Sequence, residues 1–155
     1  MIIRSFEPGD RQEYLAMSKE FYSSDAVLHP VPEENFAKTF RLLLSGSTAA
    51  DGCIAIEGGK AAGFALLSFS WSNEGGGMTV WLEEIYVRPG FQNRGIGHAM
   101  LHRIFQKYRG KAARFRLETE DTNAGARRLY QSLGFRNFAY RQMILEPSCP
   151  SEENG

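Results

Sequence analysis

A chain of 155 residues, 43% apolar and 23% charged, has the length and composition of one folded domain, which sets aside disordered, collagenous and disulfide-scaffold proteins. No apolar run approaches the roughly 18 residues of a membrane span. Met1-Ile2-Ile3-Arg4-Ser5-Phe6 lacks a basic stretch followed by an apolar one, and Cys53 and Cys149 lie far apart; together these predict free thiols, no membrane partner and a cytoplasmic location. The net charge of zero argues against a nucleic-acid partner but conceals an asymmetry: residues 1–87 carry six Lys/Arg against twelve Asp/Glu, residues 88–145 twelve against three. A polyanion suits the second part and a cation the first; solvated surface charge is the alternative.

Ile2–Ser5 reads as a short strand. Asp10 and Glu13 have capping-box spacing, and Tyr14, Leu15, Met17, Ser18, Phe21 and Tyr22 follow a helical period up to Ser23-Ser24-Asp25. A second helix runs from Pro32 with Phe36, Phe40, Leu43 and Leu44 on one face. Residues 52–57 and 61–71 read as strands joined at Gly58-Gly59, and residues 78–87 as another strand, stopped by Pro89. Ile96, Met100, Leu101, Ile104, Phe105 and Tyr108 mark a helix. Residues 112–118 alternate as a half-buried strand. Ala126, Leu129, Tyr130 and Leu133 mark a last helix, stopped by Gly134, and residues 138–146 have strand character. The order predicts one mixed α/β sheet with helices on both faces, a single domain over 1–146 and a loose tail over 147–155.

Val87-Arg88-Pro89-Gly90-Phe91-Gln92-Asn93-Arg94-Gly95-Ile96-Gly97 is a strand, a loop and a helix start. The open N–H groups and dipole of such a start suit phosphate, although Gly-x-Gly alone also fits a structural turn. No Gly-Lys-Ser/Thr follows, and a third glycine at dinucleotide spacing is missing, which excludes the P-loop and Rossmann patterns.

Gln92-x-x-Gly95-x-Gly97 after a strand, followed about 30 residues on by Asn123-x-x-Ala126-x-x-Leu129-Tyr130-x-x-x-Gly134-Phe135, resembles the two cofactor motifs of the GNAT superfamily of acyl-CoA N-acyltransferases. The resemblance is specific over residues 80–135. It implies a mostly antiparallel sheet in which the strand before the loop splays from the next one at a bulge, at the cofactor site. It also implies an N-acetyltransferase that moves the acetyl group of acetyl-CoA directly to a primary amine, with no metal. A non-catalytic acyl-CoA-binding or regulatory module of the same fold is the alternative. By the same resemblance, backbone N–H groups of Asn93, Arg94, Gly95, Ile96, Gly97 and His98 hold the pyrophosphate beside Gln92. Ile85, Tyr86 and Val87 meet the pantetheine arm, with an N–H near Ile85 polarising the thioester. Asn123 and Ala126 open the helix that carries Tyr130; Asn123 also reads as an N-cap.

Tyr130 falls at the family's general-acid position, and also on its helix's apolar stripe. Glu83 and Glu84 stand in an otherwise apolar strand. Alternation puts Glu83 in phase with Trp81, Ile85 and Val87, unless a bulge breaks that phase. A glutamate base in relatives of the spermidine/spermine type falls on Glu83, with Glu84 in reserve. Residues 23–35 and 61–87 hold Asp25, Glu33, Glu34, Glu74, Glu83 and Glu84 without Lys or Arg, which predicts a cationic small-molecule or peptide amine as acceptor. Tyr22, Asp25, His29 and Glu84 are candidate acceptor contacts. Phe21, Trp71 and Trp81 are core or cleft residues. His98 and His102 share a helix face without a further metal ligand and read as exposed. Homodimers are frequent in the family, so a homodimer is among the expectations.

Overall fold

The computed structural model describes residues 1–24 and 30–147. In chain order it contains β1 (Ile2–Arg4), α1 (Arg11–Tyr22), α2 (Glu33–Leu44), β2 (Ala50–Glu57), β3 (Lys60–Ser72), β4 (Gly77–Val87), α3 (Ile96–Tyr108), β5 (Ala112–Leu117) and α4 (Ala124–Ser132). Short 3-10 turns stand at Pro8–Asp10 and Pro89–Phe91. The strands lie side by side in sequence order. β1 to β4 run antiparallel, and β5 joins β4 in parallel through the crossover helix α3. Gly58 and Gly59 both take positive φ, 57° and 76°, which closes β2 onto β3 in the tight hairpin that their sequence predicts.

Two apolar cores follow from strand alternation. On one face Tyr14 and Met17 of α1 and Phe36 and Phe40 of α2 pack on Ile54 and Phe64. Their rings meet edge to face, Tyr14 against Phe64 at 5.4 Å and Phe6 against Tyr14 at 5.2 Å. On the other face Ile96, Met100, Leu101 and Ile104 of α3 and Tyr130 of α4 cover Ala65, Leu67, Val80 and Leu82. The mixed sheet with helices on both faces is as the sequence predicts.

Four local expectations differ. The capping box lies three residues earlier than expected: the Glu7 N–H donates to the Asp10 carboxylate at 2.8 Å, and Asp10 caps no N–H of α1. Arg4 holds the same carboxylate through two hydrogen bonds of 2.6 and 2.9 Å, so that the aspartate ties β1 to the start of α1 and its pKa is lowered. Leu43 joins the first core, whereas Leu44 is partly exposed. Trp71 is exposed at the end of β3 and is neither core nor cleft. Residues 138–146 form no strand. Side chains rather than a backbone ladder hold that segment: Phe138 lies against Arg114 and Arg116, the Tyr140 hydroxyl donates to Glu74 at 3.1 Å, and Met143, Ile144 and Leu145 are exposed. Residues 148–155, with Cys149, lie outside the described residues.

Candidate active site

The site is built around one extra residue in β4. Pairing with β3 runs Ser68–Trp81 and Leu67–Leu82, then steps to Leu66–Glu84, which leaves Glu83 unmatched as a bulge. Before the bulge, Met78, Val80 and Leu82 face the α3 core; after it, Ile85 and Val87 do. Alternation is broken at Glu83, so Glu83 is not in phase with Ile85 and Val87 as a regular strand requires. Glu83 and Glu84 both turn to the α1 face instead: Ser68 donates to Glu83, and the Tyr22 hydroxyl of α1 donates to Glu84.

The bulge also ends the parallel pairing. β4 pairs with β5 from Met78 to Leu82 and no further, while its pairing with β3 continues to Val87. The Arg88 N–H donates to Ala62 C=O on the β3 side at 2.9 Å. Backbone alternation then turns the N–H and C=O of Ile85 and Val87 toward the open gap. The Gln92 side-chain amide donates to Val87 C=O at 3.0 Å and so links the gap to the following loop. Gly63 fixes how closely β3 approaches here: a Cβ on it would lie 2.3 Å from the Tyr86 carbonyl oxygen and 3.2 Å from Val87 Cα.

Beyond the gap, Asn93 and Gly95 take left-handed φ of 60° and 76°, and Gly95 is the N-cap of α3. No side chain caps this helix. The first N–H bonded within it is that of Ala99, to Gly95 C=O at 2.9 Å. The N–H groups of Ile96, Gly97 and His98 therefore point out of the start of a 13-residue helix with its positive dipole end behind them. Asn123 caps α4, accepting from the Ala126 N–H at 3.2 Å. The splayed β4 edge, the 92–98 loop and the start of α4 enclose a cleft of about 520 Å³. Among the described residues no Lys or Arg lines it, so the donors it offers at the start of α3 are backbone N–H groups rather than the basic side chains that the charge asymmetry suggested.

Two titratable groups with raised pKa values face this cleft. Tyr130 is 7% exposed, its hydroxyl has no hydrogen-bond partner among the described residues, and burial pushes its pKa up to about 12. Glu84 is the second. Burial raises its carboxyl to about 7, Tyr22 opposes the rise, and the neighbouring Glu83 adds to it. One carboxylate oxygen accepts from Tyr22 and the other is buried without a donor. Glu83 also lines the cleft but is exposed.

Of the residues singled out in the sequence, Glu83, Glu84, Ile85, Val87, Gln92, Asn93, Gly95, Ile96, Gly97, His98, Asn123, Ala126 and Tyr130 come together at this cleft. Tyr86 does not: its side chain turns to α1 and donates to Glu20 at 3.0 Å. Arg94 is exposed, with its guanidinium 5.6 Å from the Phe91 ring, outside the cleft lining. Tyr22 reaches the site through Glu84, and Phe21 lines it. Asp25 and His29 lie outside the described residues. His98 and His102 are exposed, as their spacing without a third ligand predicted. Three carboxylates of the acidic first part are spent on cations: Glu33 on Lys19 at 2.5 Å, Glu34 on Lys38 at 3.4 Å and Glu74 on Arg114 at 3.5 Å. Glu83 and Glu84 have no such partner among the described residues. Leu82, Phe91 and Leu129 also wall the cleft and Gly63 is its spacer; the sequence marks the first three only as apolar.

Comparison with known proteins agrees with this geometry. Residues 14–135 match the acetyltransferase (GNAT) family. The thialysine N-epsilon-acetyltransferase of Sus scrofa is 33% identical over 82 residues, 52% of this chain and 48% of that protein. That of Mus musculus is 34% identical over 79 residues, 50% and 46% respectively. The chain thus spans about half the length of the curated relatives that it matches. Among solved structures, a possible acetyltransferase from Clostridium difficile 630 superposes with a TM-score of 0.79 at 17% identity, covering 94% of this chain and 97% of that one. An aminoglycoside N-acetyltransferase in complex with CoA superposes with a TM-score of 0.76 at 21% identity, covering 96% and 95%. Those identities speak for the fold. With the family match over most of its length and the splayed strand and open helix start in place, the chain belongs to the acetyltransferase (GNAT) family.

Proposed function

We propose that this chain transfers the acetyl group of acetyl-CoA directly to a primary amine, with Glu84 as the base and Tyr130 as the acid. The observation that carries the reading is their placement on one cleft, at opposite sides of an unpaired β4 edge and beside the open start of α3. The residues fit the co-substrate. The N–H groups of Ile96, Gly97 and His98 suit a pyrophosphate, and the free backbone of Ile85 and Val87 suits an amide-bearing arm that pairs like a further strand. Bound there, acetyl-CoA supplies the activated acyl group.

An amine of the lysine type has a pKa near ~10.4 and reaches the site protonated. The exposed Glu83 attracts that cation. Glu84, balanced near neutrality, takes its proton, and the Ile85 N–H steadies the charge that develops on the acyl oxygen. Tyr130 delivers a proton to the departing sulfur. Its phenol is harder to ionise than in water, but the same dry surroundings raise the thiol as well. Positioning supplies much of the remaining acceleration. The names of two relatives include an amine substrate, thialysine in one and an aminoglycoside in the other, which accords with a cationic acceptor here.

The test is acetyl-CoA-dependent release of free thiol with pooled polyamines, amino acids, aminoglycosides and short peptides, corrected for acceptor-free hydrolysis. Release that requires one pool is expected. Tight acetyl-CoA binding with silence in every pool would replace this reading with that of a binding module.

A further inference from the structure

Arg88 is the first residue after β4, at the far end of the unpaired edge, and it does not line the cleft. Its side chain turns to α1 and β3 instead. Nε donates to the two Glu20 carboxylate oxygens at 3.2 and 3.0 Å, and Nη2 donates to Oε1 of the same group at 3.0 Å. Nη1 donates to Glu13 at 2.7 Å and to Ala61 C=O at 3.0 Å. Glu13 and Glu20 stand about two turns apart on one face of α1, so one guanidinium spans that face. The Tyr86 hydroxyl donates to Glu20 as well, so β4 and α1 share this carboxylate. Single exposed ion pairs contribute little, but a planar fork filled by two carboxylates and a carbonyl is held in one geometry.

The gap needs such a hold. From Glu83 to Val87, β4 has no partner on the β5 side among the described residues, and its pairing with β3 ends where Val87 meets Gly63. A strand end paired on one side opens readily. An arm that adds to a loose edge must order that edge as it binds, which weakens binding; an edge already held avoids this cost.

We infer that Arg88 is a positioning residue for the co-substrate: by fastening the end of β4 to α1 and β3, it keeps the edge of Ile85 and Val87 extended and open for the pantetheine arm of acetyl-CoA. This rests on the acetyltransferase reading above and adds to it a side chain that acts from outside the cleft.

The test titrates CoA, and adenosine 3′,5′-bisphosphate, which lacks the arm, into the wild type, Arg88→Gln, Arg88→Lys and Lys107→Met by calorimetry. Lys107→Met breaks the 2.6 Å ion pair to Asp51 at the other end of α3 and controls for a lost ion pair away from the gap. Arg88→Gln is expected to weaken CoA binding roughly tenfold and to leave the bisphosphate unchanged, which separates a loosened edge from a lost positive charge. Arg88→Lys keeps the charge but cannot fill the same fork, and should fall between. Lys107→Met should bind both ligands as the wild type does. The Glu13 and Glu20 side chains are 51% and 40% exposed and stay hydrated when unpaired, so Arg88→Gln is expected to fold; if it does not, Arg88→Lys carries the comparison. Unchanged CoA affinity in the Arg88 variants, an equal loss for CoA and the bisphosphate, or an equal loss in Lys107→Met would each overturn the inference and leave the acetyltransferase reading standing. A wild type that binds no CoA would overturn that reading, and this inference with it.

Discussion

Replacing Glu84 by glutamine keeps the shape of the side chain and an acceptor for the Tyr22 hydroxyl, but removes a carboxylate that burial holds at a pKa of about 7 against an ordinary 4.5. The folded-state value is raised, so the folded state binds the proton more tightly than the unfolded chain. Below about pH 4.5 the group is neutral in both states, and wild type and Glu84→Gln should be equally stable. As the pH rises toward 7, the unfolded chain ionises first and the wild type loses stability relative to the variant, by about 3 kcal/mol once the folded-state pKa is passed. In a domain of this size that corresponds to a melting temperature roughly 6–12 °C higher for the variant at mildly alkaline pH. Thermal melts of both proteins across the acid-to-alkaline range provide the assay. The same change should lower kcat/KM for the amine by roughly 10²–10⁴ and remove the limb of its pH profile that rises near neutrality. Melting curves that stay parallel at every pH, or a variant with full turnover, would show that Glu84 is neither held protonated by burial nor the base.

Three further changes bear on Tyr130, the β3–β4 spacing and the loop before α3. Tyr130→Phe should lower turnover by roughly 10²–10⁴ while acetyl-CoA affinity, read by calorimetry, holds; unchanged turnover removes Tyr130 from the chemistry. Gly63→Ala forces a methyl group against the Tyr86 carbonyl and should cost about 3 kcal/mol in denaturant unfolding, with weaker acetyl-CoA binding because β4 is pushed toward the gap. Gly95→Ala meets open space but a φ of 76°, so it should cost about 1–2 kcal/mol and weaken binding of the isolated pyrophosphate-containing half of CoA; an unchanged affinity would separate the loop from phosphate.

Most of this was legible in the residues. The period of Ile96, Met100, Leu101 and Ile104, the alternation of β4, and Gly58-Gly59 each have a local physical cause that acts before any tertiary contact forms, and each element lies within a few residues of its expected place. The two motifs that resemble those of the family come together, with Gln92, Gly95, Gly97, Asn123 and Tyr130 on one cleft. What the sequence could not give depends on partners distant along the chain. The resemblance implies a bulge in β4, but its place at Glu83 depends on the pairing of Leu66 with Glu84 and Leu67 with Leu82 across the sheet, which no pattern within β4 marks. Asp10 has cap spacing to Glu13, but Arg4 across the turn claims its carboxylate. Residues 138–146 alternate like a strand, yet Arg114, Arg116 and Glu74 hold Phe138 and Tyr140 by their side chains. Tyr86 belongs to a matching stretch but faces α1, because the bulge reverses the faces beyond it.

Direct transfer requires that the cleft hold both substrates at once. Initial rates measured over a grid of acetyl-CoA and amine concentrations test it most directly, together with the mass of the protein after incubation with acetyl-CoA alone. Intersecting double-reciprocal lines and an unmodified chain are the predicted result. Parallel lines with an acetylated chain would contradict it, since they would mean that a residue of the protein carries the acetyl group between two separate half-reactions.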